Sequence, residues 1–154
     1  LFRSGVHMHI DKPAGNDVSS MEKLLRTAKN NHLVVQMAYM YRYNAAVLDC
    51  IARMERGELG DIYQVTAIMN TRHDPEKRKW LKKFQGGTQF YLGCHMIDLI
   101  YRLQGLPEKI HPFLKSTGTD GVDATDFGLA LFEYPNGVST AEATSAEVNG
   151  SYRF

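Results

Sequence analysis

Gly86-Gly87-Thr88-Gln89-Phe90-Tyr91-Leu92-Gly93-Cys94-His95-Met96-Ile97-Asp98-Leu99-Ile100-Tyr101-Arg102-Leu103 is the stretch from which the rest of this chain is read. Two glycines break the backbone, and the residues after them are apolar almost all the way round a helical period, the pattern of a buried helix. The exceptions are Tyr91, His95, Asp98 and Arg102, and their spacing of four, three and four places all four on one stripe. A polar stripe on such a helix faces solvent, a partner or a cavity. One expectation is a solvated edge held by an Asp98–Arg102 pair at i,i+4. The other is a pocket lined by Tyr91 and His95.

Composition narrows the setting. A length of 154 residues suits one domain or pieces of two. Eighteen Lys and Arg against 17 Asp and Glu leave a net charge of +1, which argues against nucleic acid or an acidic membrane as the main partner. The basic run Lys77-Arg78-Lys79-Trp80-Leu81-Lys82-Lys83 is read as a solvated helix or loop with Trp80 turned inward. Cys50 and Cys94 fall in apolar helical patterns and are expected as reduced thiols of a cytoplasmic protein. No apolar run approaches the ~20 residues that span a membrane. His7 and His9 share one face of a strand at metal-ligand spacing, but no third ligand joins them and no metal is expected. The chain opens on Leu1 and closes on Gly150-Ser151-Tyr152-Arg153-Phe154, which reads as a strand just beginning. It is therefore read as an internal piece of a longer protein.

Val6, Met8 and Ile10 alternate with His7 and His9 as in a strand, stopped by Asp11-Lys12-Pro13. Asp17 or Ser19 caps a helix over 18–31, and Leu33–Tyr39 reads as a strand buried on both faces. Strand, helix, strand at this spacing is a βαβ unit, hence a parallel sheet. After Tyr41-Arg42-Tyr43-Asn44 the style changes. An amphipathic helix covers 45–56, a longer strand 62–72, and strands follow over 109–116, 126–134 and 138–147. Pro135-Asn136-Gly137 marks a hairpin, with Asn-Gly expected to supply positive φ. Thr140, Glu142 and Thr144 alternate with Ala141, Ala143 and Ser145, one polar face against one of small residues, and the meander is read as antiparallel. The fold class expected is α/β: the end of a parallel, Rossmann-like dinucleotide-binding domain over residues 1–41, then an α+β domain with an open, mainly antiparallel sheet over 42–154.

Lys12-Pro13 lies at the carboxyl end of a strand, where ligands bind in open α/β sheets. Taken in order, this turn, the run Tyr39-Met40-Tyr41-Arg42-Tyr43-Asn44, the turn Gly57-Glu58-Leu59-Gly60-Asp61-Ile62, and the pattern of Gly86-Gly87, Gly93, His95 and Asp98 resemble the glucose–fructose oxidoreductase / inositol dehydrogenase / MocA-like (Gfo/Idh/MocA) family. The resemblance runs from about Gly5 to Gly105.

The resemblance implies a two-domain oxidoreductase using NAD or NADP. Hydride passes between the nicotinamide and a sugar, inositol or related polyol, and copies pair through the antiparallel sheet. Lys12 matches the family's active-site lysine, and His95 its general acid/base. Lys12, Pro13 and Arg42 are assigned to the cofactor, whose phosphate-binding loop would lie upstream of Leu1; without it the piece alone is not expected to be active. Tyr91 stands where the family usually has an aspartate and is expected to hydrogen-bond the substrate. Asp98 and Arg102 are expected to hold the helix to its neighbour. The chemistry suits these residues: oxidising an alcohol requires removal of its hydroxyl proton, which a histidine does near neutral pH, and a lysine steadies the developing alkoxide. A glycosidase that uses NAD transiently and a non-catalytic dinucleotide-binding regulator are the alternatives.

Overall fold

The computed structural model describes residues 4–153; Phe154, expected in the last strand, lies outside them. The described residues form two compact units, divided between Tyr39 and Met40.

In the first unit, β1 (Met8–Ile10) and β2 (Val35–Met37) pair in parallel, Met8 opposite Val35, with α1 (Val18–Asn30) as the crossover. Asp17 is the cap: its carboxylate accepts the Ser20 N–H at 3.2 Å and the hydroxyls of Ser19 and Ser20. Those bonds, that of the Ser20 hydroxyl foremost, hold its carboxyl at about 2. The expectation of a strand buried on both faces is corrected, because β2 is three residues long and Gln36 is exposed. His7 Nδ1 accepts the N–H of Val34 at 2.9 Å, so this ring nitrogen serves the backbone.

The second unit opens with a tight 3₁₀ turn over Met40–Tyr43. Asn44 caps α2 (Ala45–Glu55) by accepting the N–H groups of Ala46 and Val47. Then follow β3 (Thr66–Arg72), α3 (Pro75–Leu81), α4 (Cys94–Gln104), β4 (Lys109–Lys115), β5 (Phe127–Tyr134), β6 (Gly137–Thr144) and β7 (Ala146–Arg153). The five strands lie in the order β4-β5-β6-β3-β7. Three of the four ladders are antiparallel, but β3 and β6 run parallel, Ala67 opposite Ala141. The sheet is thus mainly antiparallel, as expected from the sequence, and the β3–β6 pair is its parallel exception. The 64 residues between Arg72 and Gly137 carry α3 and α4 and form the long crossover that a parallel pair requires.

Two local expectations also change. The strand read over 62–72 enters the ladder only at Thr66, because the Val65 N–H is taken at 2.8 Å by the Ser139 hydroxyl rather than by a backbone carbonyl. The hairpin is where it was expected, with Tyr134 opposite Gly137, yet neither Asn136 nor Gly137 has positive φ. Gly137 is required for a different reason: a Cβ there would stand 1.7 Å from the Tyr63 carbonyl oxygen.

The core lies between α2, α4 and one face of the sheet. Val47 and Ile51 from α2 and Met96, Leu99 and Ile100 from α4 pack on Ala67, Met69, Ala130, Phe132, Ala141 and Ala143. The alanines bring the helices close to the strands, and each large side chain buried contributes about 1.5–3 kcal/mol. This packing fixes the height of α4 over the sheet.

Candidate active site

The entry to α4 is pinned by glycines and buried hydroxyls. Gly87 has φ +49, and a Cβ there would lie 2.1 Å from the Thr125 carbonyl oxygen. The next residue, Thr88, donates its N–H to that oxygen at 2.9 Å and its hydroxyl to Ser145 at 2.7 Å. Gln89, laid under Gly93 and Gly128, donates Nε2–H to the Ala141 carbonyl at 3.2 Å. Both glycines are needed because a Cβ on either would stand within 2.6 Å of the Gln89 side chain.

The residues between Gln89 and Gly93 do not continue the α-helix backwards but form a wider π turn, closed i→i+5. The sequence spacing of Tyr91 and His95 assumed an i,i+4 turn, and the wider turn gives the two rings different neighbours. The His95 ring, 4% exposed, meets the edge of Tyr41 at 5.7 Å and 87°. The Tyr91 ring meets Trp80 at 5.6 Å and His73 at 6.3 Å, and Lys77 Nζ stands 4.6 Å from its centroid.

One turn along α4, Asp98 is buried, which corrects the solvated edge expected from the sequence. Its carboxylate is taken by Arg42 instead of Arg102. Arg42 Nε donates to Oδ2 at 2.9 Å and to Oδ1 at 3.2 Å, and Nη2 donates to Oδ1. A bidentate guanidinium–carboxylate pair with one member out of water fixes direction as well as distance. Tyr41 lies beside Arg42 in the 3₁₀ turn, so the pair also holds the ring that backs His95. Burial, with Tyr152 adding to it, pushes the Tyr41 hydroxyl above its ordinary range; the phenol stays protonated and neutral against the imidazole.

Tyr41 is not among the site residues expected from the sequence, although the aromatic run Tyr39, Tyr41, Tyr43 is a signal for it. Arg78 was missed altogether. It is 1% exposed, and it donates to Asp126 and to the Thr119 carbonyl, both at 3.1 Å, and to Asp120 at 2.5 Å. The basic run is thus not a uniformly solvated face. Lys79 pairs with Glu76, Lys82 with Asp123, and Arg78 anchors α3 to the loop before β5.

Lys12 and Pro13 lie in the first unit, half-buried, in the turn that follows β1 and joined by a cis peptide bond. The Lys12 N–H is held by Asp11 Oδ1 at 2.8 Å. This places the lysine at the carboxyl edge of two parallel strands, beside the turn at Ala38 and Tyr39 that leaves β2, the edge where open α/β sheets receive a dinucleotide. Among the described residues, no group of three His, Cys, Asp or Glu is placed to hold a metal ion, and no helix is long and apolar enough to cross a membrane.

Residues 47–154 match the sequence model of the GFO/IDH/MocA C-terminal domain. The scyllo-inositol 2-dehydrogenase (NADP(+)) IolW of Bacillus subtilis strain 168 is 29% identical over 115 residues, which is 71% of this chain and 31% of that protein. The inositol dehydrogenase homolog of Azotobacter vinelandii, solved in complex with NADH and myo-inositol, has the same fold, with TM-score 0.82 at 19% identity over 98% of this chain and 41% of that one. A solved structure from Desulfitobacterium hafniense gives TM-score 0.85 at 20% identity, covering 98% of this chain and 45% of the other. The chain thus spans less than half the length of each of these relatives.

Proposed function

This chain belongs to the Gfo/Idh/MocA family, and from that premise we propose that it is the catalytic stretch of an NAD(P)-dependent oxidoreductase acting on a sugar, inositol or related polyol. Residues 1–39 supply the end of the dinucleotide-binding domain, and residues 40–154 supply the substrate domain. A bound nicotinamide supplies the hydride acceptor or donor. The imidazole of His95 takes the substrate hydroxyl proton during oxidation and returns it during reduction. Lys12 donates to the same oxygen and steadies its developing negative charge. Tyr91 hydrogen-bonds the substrate, and Arg42 sets the position of Tyr41 behind the imidazole. Pro13 holds the lysine turn against the cofactor.

The observation that carries this reading is the buried His95 on a helix whose entry, flank and backing are each separately fixed: Gly87 against Thr125, Asp98 against Arg42, and Tyr41 against the ring itself. Preorganisation of this kind is what acid–base chemistry requires. The other face of the sheet suits a second copy of the chain, since the edge strand β4 exposes Phe113, and Leu129 and Leu131 of β5 are only partly covered. Cys50 and Cys94, which form no disulfide, suit a reducing cytoplasm.

The test is turnover of the full polypeptide with a panel of sugars and inositols in the presence of NAD or NADP, followed by nicotinamide absorbance. Polyol-dependent reduction of one nucleotide is expected. No change in absorbance with any member of the panel contradicts the reading.

A further inference from the structure

Lys77 is the one basic residue of the run at 77–83 that stands over the Tyr91 ring. It is half-buried, with Nζ 3.8 Å from the centroid of Trp80 and 4.6 Å from that of Tyr91. Among the described residues no carboxylate lies within ion-pair distance of it, whereas each acidic group on the neighbouring elements is already engaged. Asp74 caps α3 through the Lys77 backbone N–H, Glu76 pairs with Lys79, and Asp98 with Arg42. Asp120 and Asp126 pair with Arg78, and Glu142 accepts from Asn70. The position of α3 is set by the buried Arg78, so the ammonium is carried on a fixed platform rather than on a loose surface helix.

We propose that Lys77 recognises an anionic substituent of the substrate, so that the substrate is an acidic sugar or polyol carrying a carboxylate rather than a neutral one. This rests on the reading of His95 as the reacting centre and names the substrate class of that same site. The faces of Trp80 and Tyr91 hold the Lys77 ammonium itself, and its N–H donors not turned to the rings remain for a ligand. Trp80 and Tyr91, the rings beside it, bring no carboxylate to it. A carboxylate presented there gains a charge-assisted hydrogen bond, and a neutral hydroxyl in its place does not.

The experiment compares D-glucuronate with D-glucose on the full polypeptide. Turnover is followed with NAD and NADP, and binding of each sugar by calorimetry. The acid is expected to exceed the neutral sugar in kcat/KM by about tenfold or more, as one charge-assisted hydrogen bond allows. Lys77→Met keeps the stem against the rings and is expected to collapse that ratio to near one, while Lys77→Arg restores it; thermal unfolding verifies that both variants fold. Equal kcat/KM for the two sugars, or a ratio unchanged in Lys77→Met, overturns the inference even if the protein is a sugar dehydrogenase. If neither sugar is turned over, the binding arm decides: glucuronate bound by the wild type and released by Lys77→Met supports the inference although the redox reading fails. No binding of glucuronate overturns it.

Discussion

Asp98 of α4 and Arg42 of the 3₁₀ turn, 56 positions apart in sequence, meet in a bidentate pair one helical turn from His95. The carboxylate is 7% exposed and the guanidinium 38%, so this contact lies between a surface bridge and a buried one. Arg42→Met leaves a carboxylate out of water without its cation and is expected to cost about 1–3 kcal/mol, below the range for a fully buried pair. Replacing both partners, Arg42→Met with Asp98→Leu, is expected to recover most of that loss. Denaturant unfolding of the single and double variants measures it; a double variant as unstable as the sum of the singles contradicts the coupling.

The two glycines flanking the π turn have unequal demands. Gly87 combines positive φ with a backbone oxygen in the way, whereas the obstacle at Gly93 is the Gln89 side chain. Gly87→Ala is therefore expected to destabilise by about 3 kcal/mol or more, and Gly93→Ala by about 1–2 kcal/mol through displacement of Gln89 from Ala141. Thermal unfolding orders them; the reverse order contradicts this account of the entry to α4.

The cap of α1 has a pH signature. The Asp17 carboxyl is lowered to about 2 by its hydrogen bonds, above all that from the Ser20 hydroxyl. A group with a depressed folded value stabilises the fold above its unfolded value near 3.9, and loses that contribution as pH falls through the folded one. The Asp17 carboxyl resonance is thus expected to titrate near 2, with the Ser20 amide following it, and Asp17→Asn removes the transition. A midpoint near the unfolded value contradicts the cap.

Patterning alone was enough for the βαβ crossover, the glycine pair and the Asp17 cap of α1, because each depends on local chemistry. Partner choice was less accessible. Asp98 looked like the i,i+4 partner of Arg102, and nothing local revealed that Arg42 would reach it from another element. The parallel pairing of β3 with β6 was hidden in the same way, since strand periodicity carries no direction. The π turn was hidden because its residues fit an α-helical period equally well, yet it decides which neighbours Tyr91 has. Arg78 was concealed by its surroundings: a guanidinium among four lysines reads as surface until Asp120 and Asp126 are seen to converge on it. Family resemblance singled out Lys12 and His95, and neither would have stood apart on composition.

The central claim is that His95 is the acid/base of a nicotinamide-dependent polyol oxidation, and it is tested most directly by the turnover of His95→Ala in the full polypeptide. With the polyol that the wild type oxidises best, kcat is expected to fall by about 10²–10⁴-fold, while nucleotide binding measured by calorimetry is retained. A His95→Ala variant that keeps the wild-type kcat would contradict the assignment.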